Sequence, residues 1–178
     1  MDKIKIGFIG AGNMGSAIMN GIAGSKLSTE ISLSAFDPDA AKLQKLEELG
    51  IKGCKCEKEI MQSCKYVFLA VKPQVIEGIL ETVAPFTTED TVFVSIAAGI
   101  SDEFVQSKTI KNAKVILVMP NTPLLLGEGA SALSYSNEVS DEEFDVVLNI
   151  FKICGKAAVI SKDKMKEGGE KSNKALLT

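Results

Sequence analysis

The chain predicts an α/β fold, a doubly wound and mainly parallel sheet with helices on both faces. Three observations carry that expectation. Strand-like and helix-like segments alternate with short connections up to Ile160, the pattern of a sheet covered on both sides. The first apolar strand runs straight into Gly10-x-Gly12-x-x-Gly15, with helix-compatible residues behind it. Finally, parallel strands joined through helices close by right-handed crossovers, which suits a spatial order 3-2-1-4-5-6 for the first six strands.

Each element follows from local pattern. Ile4 to Ile9 is the first strand, and Ser16 to Ala23 lies in the first helix. Ile31 to Phe36 is a second strand, closed by Asp37-Pro38. Helical spacing from Ala40 to Leu49 stops at Gly50, a residue suited to a helix C-terminus. A short third strand is expected near Ile51-Lys52, a brief helix over Glu57 to Ser63 and a central strand over Tyr66 to Val71. Lys72-Pro73 breaks that strand, and Gln74 to Val83 resumes helical spacing. Thr91 to Ile96 is a buried strand, followed by Ala97-Ala98-Gly99 and a helix from about Ser101, whose Asp102 and Glu103 suit a helix start. Lys114 to Met119 is the sixth strand, Ala130 to Tyr135 an additional one, Asp141 to Ile153 an amphipathic helix and Ala157 to Ile160 a last short strand. The chain thus divides into a domain over residues 1–161 and a polar tail over 162–178, rich in Lys, Glu, Gly and Ser, helical or without a fixed fold.

The glycine spacing has a physical reading. Gly10 permits a tight turn off the strand, Gly12 lets the backbone approach a pyrophosphate, and Gly15 lets the helix pack closely on the sheet. The helix N-terminal N–H groups then face an anion. This is the Rossmann-type arrangement, in which ligands lie beyond the carboxyl ends of the strands. The loops collected there are Gly10 to Gly15, Asp37-Pro38, Val71-Lys72-Pro73, Ala97-Ala98-Gly99 and Met119 to Thr122. Asp37 stands where an acid accepts hydrogen bonds from the adenosine ribose, or else it only starts the Asp-Pro turn. An acid there repels a 2′-phosphate, which leans the choice toward NAD, although Lys42 or Ser34 offers help in holding NADP. Lys72 is either a catalytic ammonium, a phosphate contact or a solvated loop lysine. Asn121 and Thr122 either orient a nicotinamide or polar substrate, or serve the turn between their flanking prolines.

Composition bounds the rest. A chain of 178 residues, 46% hydrophobic and 24% charged, is expected to hold one sizeable core. The net charge is −3 and the lysines are scattered, so no nucleic-acid face is advertised. Apolar runs are strand-sized, too short for a bilayer, and the N-terminus carries no signal-peptide pattern, so a cytoplasmic location is the expectation. Cys54-x-Cys56 lacks a second ligand pair, which favours free thiols over a metal site for Cys54, Cys56, Cys64 and Cys154. Histidine is absent and all 20 basic residues are lysine. Imidazole chemistry and bidentate guanidinium recognition are therefore excluded within this chain.

At its loops the chain resembles Δ1-pyrroline-5-carboxylate reductase. The blocks are Ile6-Gly-Phe-Ile-Gly-Ala-Gly-Asn-Met-Gly15, Phe68-Leu-Ala-Val-Lys-Pro73, Val94-Ser-Ile-Ala-Ala-Gly99 and Met119-Pro-Asn-Thr-Pro123, in order across roughly Lys3 to Ile160. The resemblance implies hydride transfer from NADPH or NADH to the C=N carbon of a cyclic imine, giving L-proline. It also implies cofactor contacts at Gly10, Ala11, Gly12, Asn13, Met14, Gly15, the Asp37 position, Ala70, Val71, Lys72, Pro73, Ala97 and Ala98. Such enzymes commonly prefer NADPH and carry a small hydroxyl residue near the Asp37 position, so the acid is a departure. A helical domain that dimerises and binds substrate follows the nucleotide domain in the family, so a homo-oligomer is implied for a full-length version. Here Glu167 to Thr178 does not resemble that domain's substrate loop, and the chain reads as a cofactor-binding half that reduces the imine poorly by itself. Two alternatives remain: a non-catalytic dinucleotide-binding module, and another small nicotinamide enzyme such as a deazaflavin-dependent NADP oxidoreductase or a hydroxyacid dehydrogenase.

Overall fold

The computed structural model describes residues 2–120 and 129–160. Its strands are β1 (Ile4–Ile9), β2 (Ile31–Phe36), β3 (Lys52–Gly53), β4 (Tyr66–Leu69), β5 (Val92–Ser95), β6 (Lys114–Pro120), β7 (Gly129–Tyr135) and β8 (Gly155–Val159). Helices α1 (Asn13–Ala23), α2 (Ala40–Glu47), α3 (Glu57–Ser63), α4 (Pro73–Val83), α5 (Asp102–Lys108) and α6 (Asp141–Cys154) connect them. One eight-stranded sheet results, in the order β3-β2-β1-β4-β5-β6-β7-β8. Its first six strands take the expected order and are all parallel; among the described residues only β6 and β7 pair antiparallel.

Strand alternation sends apolar residues to both faces, and each face has its own core. Ile6 and Phe8 of β1 and Phe68 of β4 join Ile18, Met19 and Ile22 of α1, Leu46 of α2 and Phe151 of α6. Ile9, Val67, Leu69 and Phe93 point the other way, into Ile60 of α3, Ile76 and Leu80 of α4 and Val105 of α5. Phe68 stacks on Phe8 at 4.4 Å between ring centroids and on Phe151 at 6.2 Å, so α6 is tied to the centre of the sheet. Each such fully buried ring contributes roughly 1.5–3 kcal/mol through burial.

Element ends differ from the sequence expectation where a turn residue, not hydropathy, sets the boundary. The first helix starts at Asn13, directly after Gly12 as N-cap, rather than at Ser16. The central strand stops at Leu69, so Ala70 and Val71 belong to the loop, and α4 starts at Pro73, whose missing N–H costs nothing in a first turn. Helix α2 ends at Glu47, two residues short of Leu49, and β3 falls at Lys52–Gly53 rather than Ile51-Lys52. Short 3₁₀ turns at Lys26–Thr29 and Ala84–Phe86 carry no periodicity long enough to read from sequence. The polar tail at 162–178 lies outside the described residues.

Candidate functional site

The carboxyl ends of β1, β2 and β4 meet around the glycine loop. Gly10 takes φ +104°, and a Cβ there would run into the Ala70 carbonyl and within 2.8 Å of Val71 Cγ1. Its N–H donates to the Phe36 carbonyl at 2.8 Å, and the Ala70 N–H donates to the Ile9 carbonyl at 2.9 Å. A Cβ on Gly15 would lie 2.9 Å from the Gly10 carbonyl oxygen and 3.1 Å from Ala70 Cβ, so only glycine lets α1 sit this close to the strand ends. Gly12 is the opposite case, because nothing lies within 4 Å of where its Cβ would be. Open space therefore stands over the start of α1.

Among the described residues, no side chain caps that start. Gly12 offers no side chain, and the first turn of α1 holds no acid. By contrast, Asp39, Ser101 and Ser140 cap α2, α5 and α6 with side-chain oxygens. First-turn N–H groups that no side chain of the described residues caps, together with the helix dipole, make a place that favours an anion.

The space continues as a cleft of about 530 Å³ lined by Ala11, Gly12, Asn13, Ser16, Asn20, Lys42, Lys45, Leu46, Leu49 and Lys72. Asn13, Ser16 and Asn20 share one face of α1, while Lys42, Lys45, Leu46 and Leu49 follow helical spacing along and just beyond α2. Lys72 arrives as the N-cap of α4. None of these three lysines forms an ion pair among the described residues. A larger groove of about 800 Å³ lies at the opposite edge, between Lys3, Lys65, Tyr66 and Thr91. It sits at the amino ends of β1 and β4, away from the glycine turn and the uncapped helix start, and the chemistry argues for the smaller cleft.

The expected site residues divide among several places. Ala11, Gly12, Asn13 and Lys72 line the cleft, whereas Gly10 and Gly15 do not border it and instead pack the turn and helix closely together. Met14 packs into the core beneath it rather than into the cleft. Ala70, Val71 and Pro73 build the turn that brings Lys72 there, and Val71 and Ala97 rest on the second core. Ala97 and Ala98 do not border the cleft. Asn121 and Thr122 fall outside the described residues. Lys45, Ser16 and Asn20 were not among the expected residues, yet their spacing on α1 and α2 was a readable signal.

Asp37 has two backbone partners at the end of β2. Its Oδ2 accepts the Ala11 N–H at 2.8 Å and its Oδ1 accepts the Asp39 N–H at 2.8 Å. Both oxygens are thus engaged by backbone, and Asp37 is not among the residues lining the cleft. The acid clamps the glycine loop to the end of β2. It starts the Asp-Pro turn at the same time.

The cysteines take no part in this site. Cys54, Cys64 and Cys154 are buried free thiols and Cys56 is half-buried. Burial raises the Cys54 and Cys64 thiols above their ordinary range and pushes Cys154 up to about 11. Among the described residues no helix is long and apolar enough to cross a membrane.

Comparison with known proteins agrees with this geometry. Residues 5–99 match the family model for NADP oxidoreductase, coenzyme F420-dependent. A pyrroline-5-carboxylate reductase of Escherichia coli K12 is 35% identical over 162 residues, covering 90% of this chain and 60% of the relative. The mouse pyrroline-5-carboxylate reductase 3 is 33% identical over 153 residues, covering 85% of this chain and 55% of the relative. In a crystal structure, the Plasmodium falciparum pyrroline carboxylate reductase with NADP bound superposes with a TM-score of 0.79 at 28% identity, over 93% of this chain and 60% of that one. The chain spans roughly 55–60% of the length of these relatives. It belongs to the family described as the F420-dependent NADP oxidoreductases, and within that family it forms a domain like the N-terminal part of the pyrroline-5-carboxylate reductases.

Proposed function

We propose that this chain supplies the cofactor-binding part of an NAD(P)H-dependent oxidoreductase that reduces the C=N bond of 1-pyrroline-5-carboxylate to L-proline. The observation that carries the reading is the uncapped start of α1 at Gly12, with open space where a Cβ would stand and a cleft leading from it. A pyrophosphate fits there, because the N–H groups need an acceptor and the backbone can be approached. The curated relatives point to the imine as substrate, and the bound NADP of the Plasmodium structure supports the cofactor.

A reduced nicotinamide, when bound, would supply the hydride for the imine carbon. The chain's own residues do the rest of what this domain contributes. Gly10 and Gly15 set the helix against the strand ends, Gly12 and Asn13 would face a diphosphate, and Lys72 would offer it a cation from the start of α4. Asp37 holds the Ala11 segment in place from behind. Asn121 and Thr122 remain candidates for orienting the nicotinamide or the substrate. The reaction also needs the imine within van der Waals reach of the ring with its carboxylate neutralised. We place that task mainly outside residues 1–161, in the part of the relatives that this chain does not match. A homo-oligomer and a cytoplasmic location belong to the same proposal, by resemblance.

The test pairs a calorimetric titration with a turnover assay on the 178-residue chain. Saturable one-to-one binding of NADH or NADPH, with pyrroline-5-carboxylate reduction at most slow, supports the reading. Absence of dinucleotide binding by the folded chain contradicts it, and so does rapid turnover of a hydroxyacid instead of the imine.

A further inference from the structure

The sheet ends on β8, and the outer edge of that strand has no partner strand among the described residues. The Ile160 N–H donates inward, to the Leu133 carbonyl of β7 at 2.8 Å. Backbone groups alternate sides along a strand. The N–H and C=O of Lys156 and Ala158 therefore also face β7, while those of Ala157 and Val159 face outward. The opposite edge of the sheet, β3, is only two residues long and templates little. By contrast, β8 carries five residues, none of them proline, and Lys156 is its one charge. Its Val159, 53% exposed, is the most exposed large apolar side chain among the described residues. An edge left this open pairs with a strand that matches its spacing.

We infer that a second copy of this chain docks there, β8 running antiparallel to its own counterpart about a two-fold axis at Ala157, so that two sheets join into one. The register argues for a copy of itself. With the axis at Ala157, that residue faces its counterpart and Val159 faces Gly155, so each outward N–H meets an outward C=O. Lys156 then stands across from Ala158, which keeps like charges from lying directly opposite and leaves room for the lysine stem. Gly155 across from Val159 leaves the branched side chain uncrowded. The contact is narrow, so the association belongs to the weak, concentration-dependent class. It does not depend on the dinucleotide reading of the cleft.

Sedimentation velocity of the full 178-residue chain over a rising concentration series, with amide hydrogen exchange on the same samples, tests this. The native chain is expected to pass from monomer to dimer. The Ala157 and Val159 amides are expected to exchange about tenfold more slowly in the dimer, while those of Lys156 and Ala158 stay protected throughout. Val159→Pro removes an outward N–H and leaves the β7 ladder whole, so it is expected to weaken dimerisation about tenfold or more. Val159→Ala keeps that N–H and is expected to dimerise within about threefold of the native chain. A chain that stays monomeric, or a dimer that Val159→Pro weakens no more than Val159→Ala does, overturns the inference. So does a dimer in which the Ala157 and Val159 amides exchange as freely as in the monomer, a result readable on the native chain even where the proline variant does not fold.

Discussion

The backbone N–H of Ala11 donates to Asp37 Oδ2 at 2.8 Å, across 26 positions of sequence. This bond joins the glycine turn after β1 to the turn after β2. With the Gly10 N–H on the Phe36 carbonyl it fixes the path of the loop before any ligand arrives. Pre-ordering of this kind lowers the entropy that a ligand must overcome on binding.

Asn at position 37 tests the strut. Asn presents one acceptor oxygen where Asp presents two, so either the Ala11 or the Asp39 N–H loses its partner. Asp37→Asn is expected to lower stability by about 1–2 kcal/mol in urea unfolding. Dinucleotide affinity should fall for NADH and NADPH alike, leaving their ratio unchanged. A changed ratio would show that Asp37 reads the ribose directly.

Two glycines three residues apart should behave in opposite ways. Gly15→Ala pushes a methyl to 2.9 Å from the Gly10 carbonyl oxygen, and backbone must move to admit it. A loss of about 1–3 kcal/mol is expected, visible as a lower Tm. Gly12→Ala meets nothing within 4 Å, so its stability change should stay under about 1 kcal/mol, an N-cap effect. Yet that same methyl occupies the approach to the helix start, so dinucleotide affinity should drop more for Gly12→Ala than its stability does.

Acid stability depends on Glu143 at the far edge of the sheet. Its Oε1 accepts the Ser140 N–H at 3.0 Å, and Oε2 meets Lys114 at 2.9 Å and Lys65 at 3.1 Å. Burial pushes the carboxyl up, but these donors outweigh it and bring it from 4.5 down to about 2. A depressed carboxyl contributes stability that is complete above its unfolded value and is lost as pH falls from about 4.5 toward 2. Glu143→Gln should therefore be less stable than the native chain at pH 7, with the gap shrinking below about pH 4.5 and closing only near pH 2. Parallel curves over that window would remove Glu143 from the account.

Thiol reactivity should separate the cysteines. Cys54, Cys64 and Cys154 are buried with thiols pushed upward, so little thiolate is available. Half-buried Cys56 is expected to react first with a disulfide reagent near pH 8, the others only on unfolding. Mass mapping of the labelled chain decides this.

Much of the fold was legible because its signals are local. The strand and helix of residues 4–23, the glycine spacing and Asp37-Pro38 each state their role in a few residues, and crossover handedness then orders the first six strands. What sequence could not tell is which way a side chain turns. Asp37 stands at the expected strand end, and there two backbone donors also engage its carboxylate. Met14 lies inside the glycine motif, yet helical geometry directs it into the core. Lys45 joins the cleft only because α2 lies beside α1, a tertiary fact. Helix ends were legible to within a turn, and the misses at Asn13, Glu47 and Pro73 fall where turn residues rather than hydrophobic pattern set the boundary.

The central claim is that a nicotinamide dinucleotide lies over the start of α1. Amide chemical-shift mapping of this 19.0 kDa chain on addition of NADPH tests it most directly. The account predicts saturable shifts concentrated at Gly10, Ala11, Gly12, Asn13, Ser16, Lys42 and Lys72, with the opposite edge of the sheet silent. Shifts confined to the groove at Lys3, Lys65 and Thr91, or no shifts in a folded chain, would contradict it.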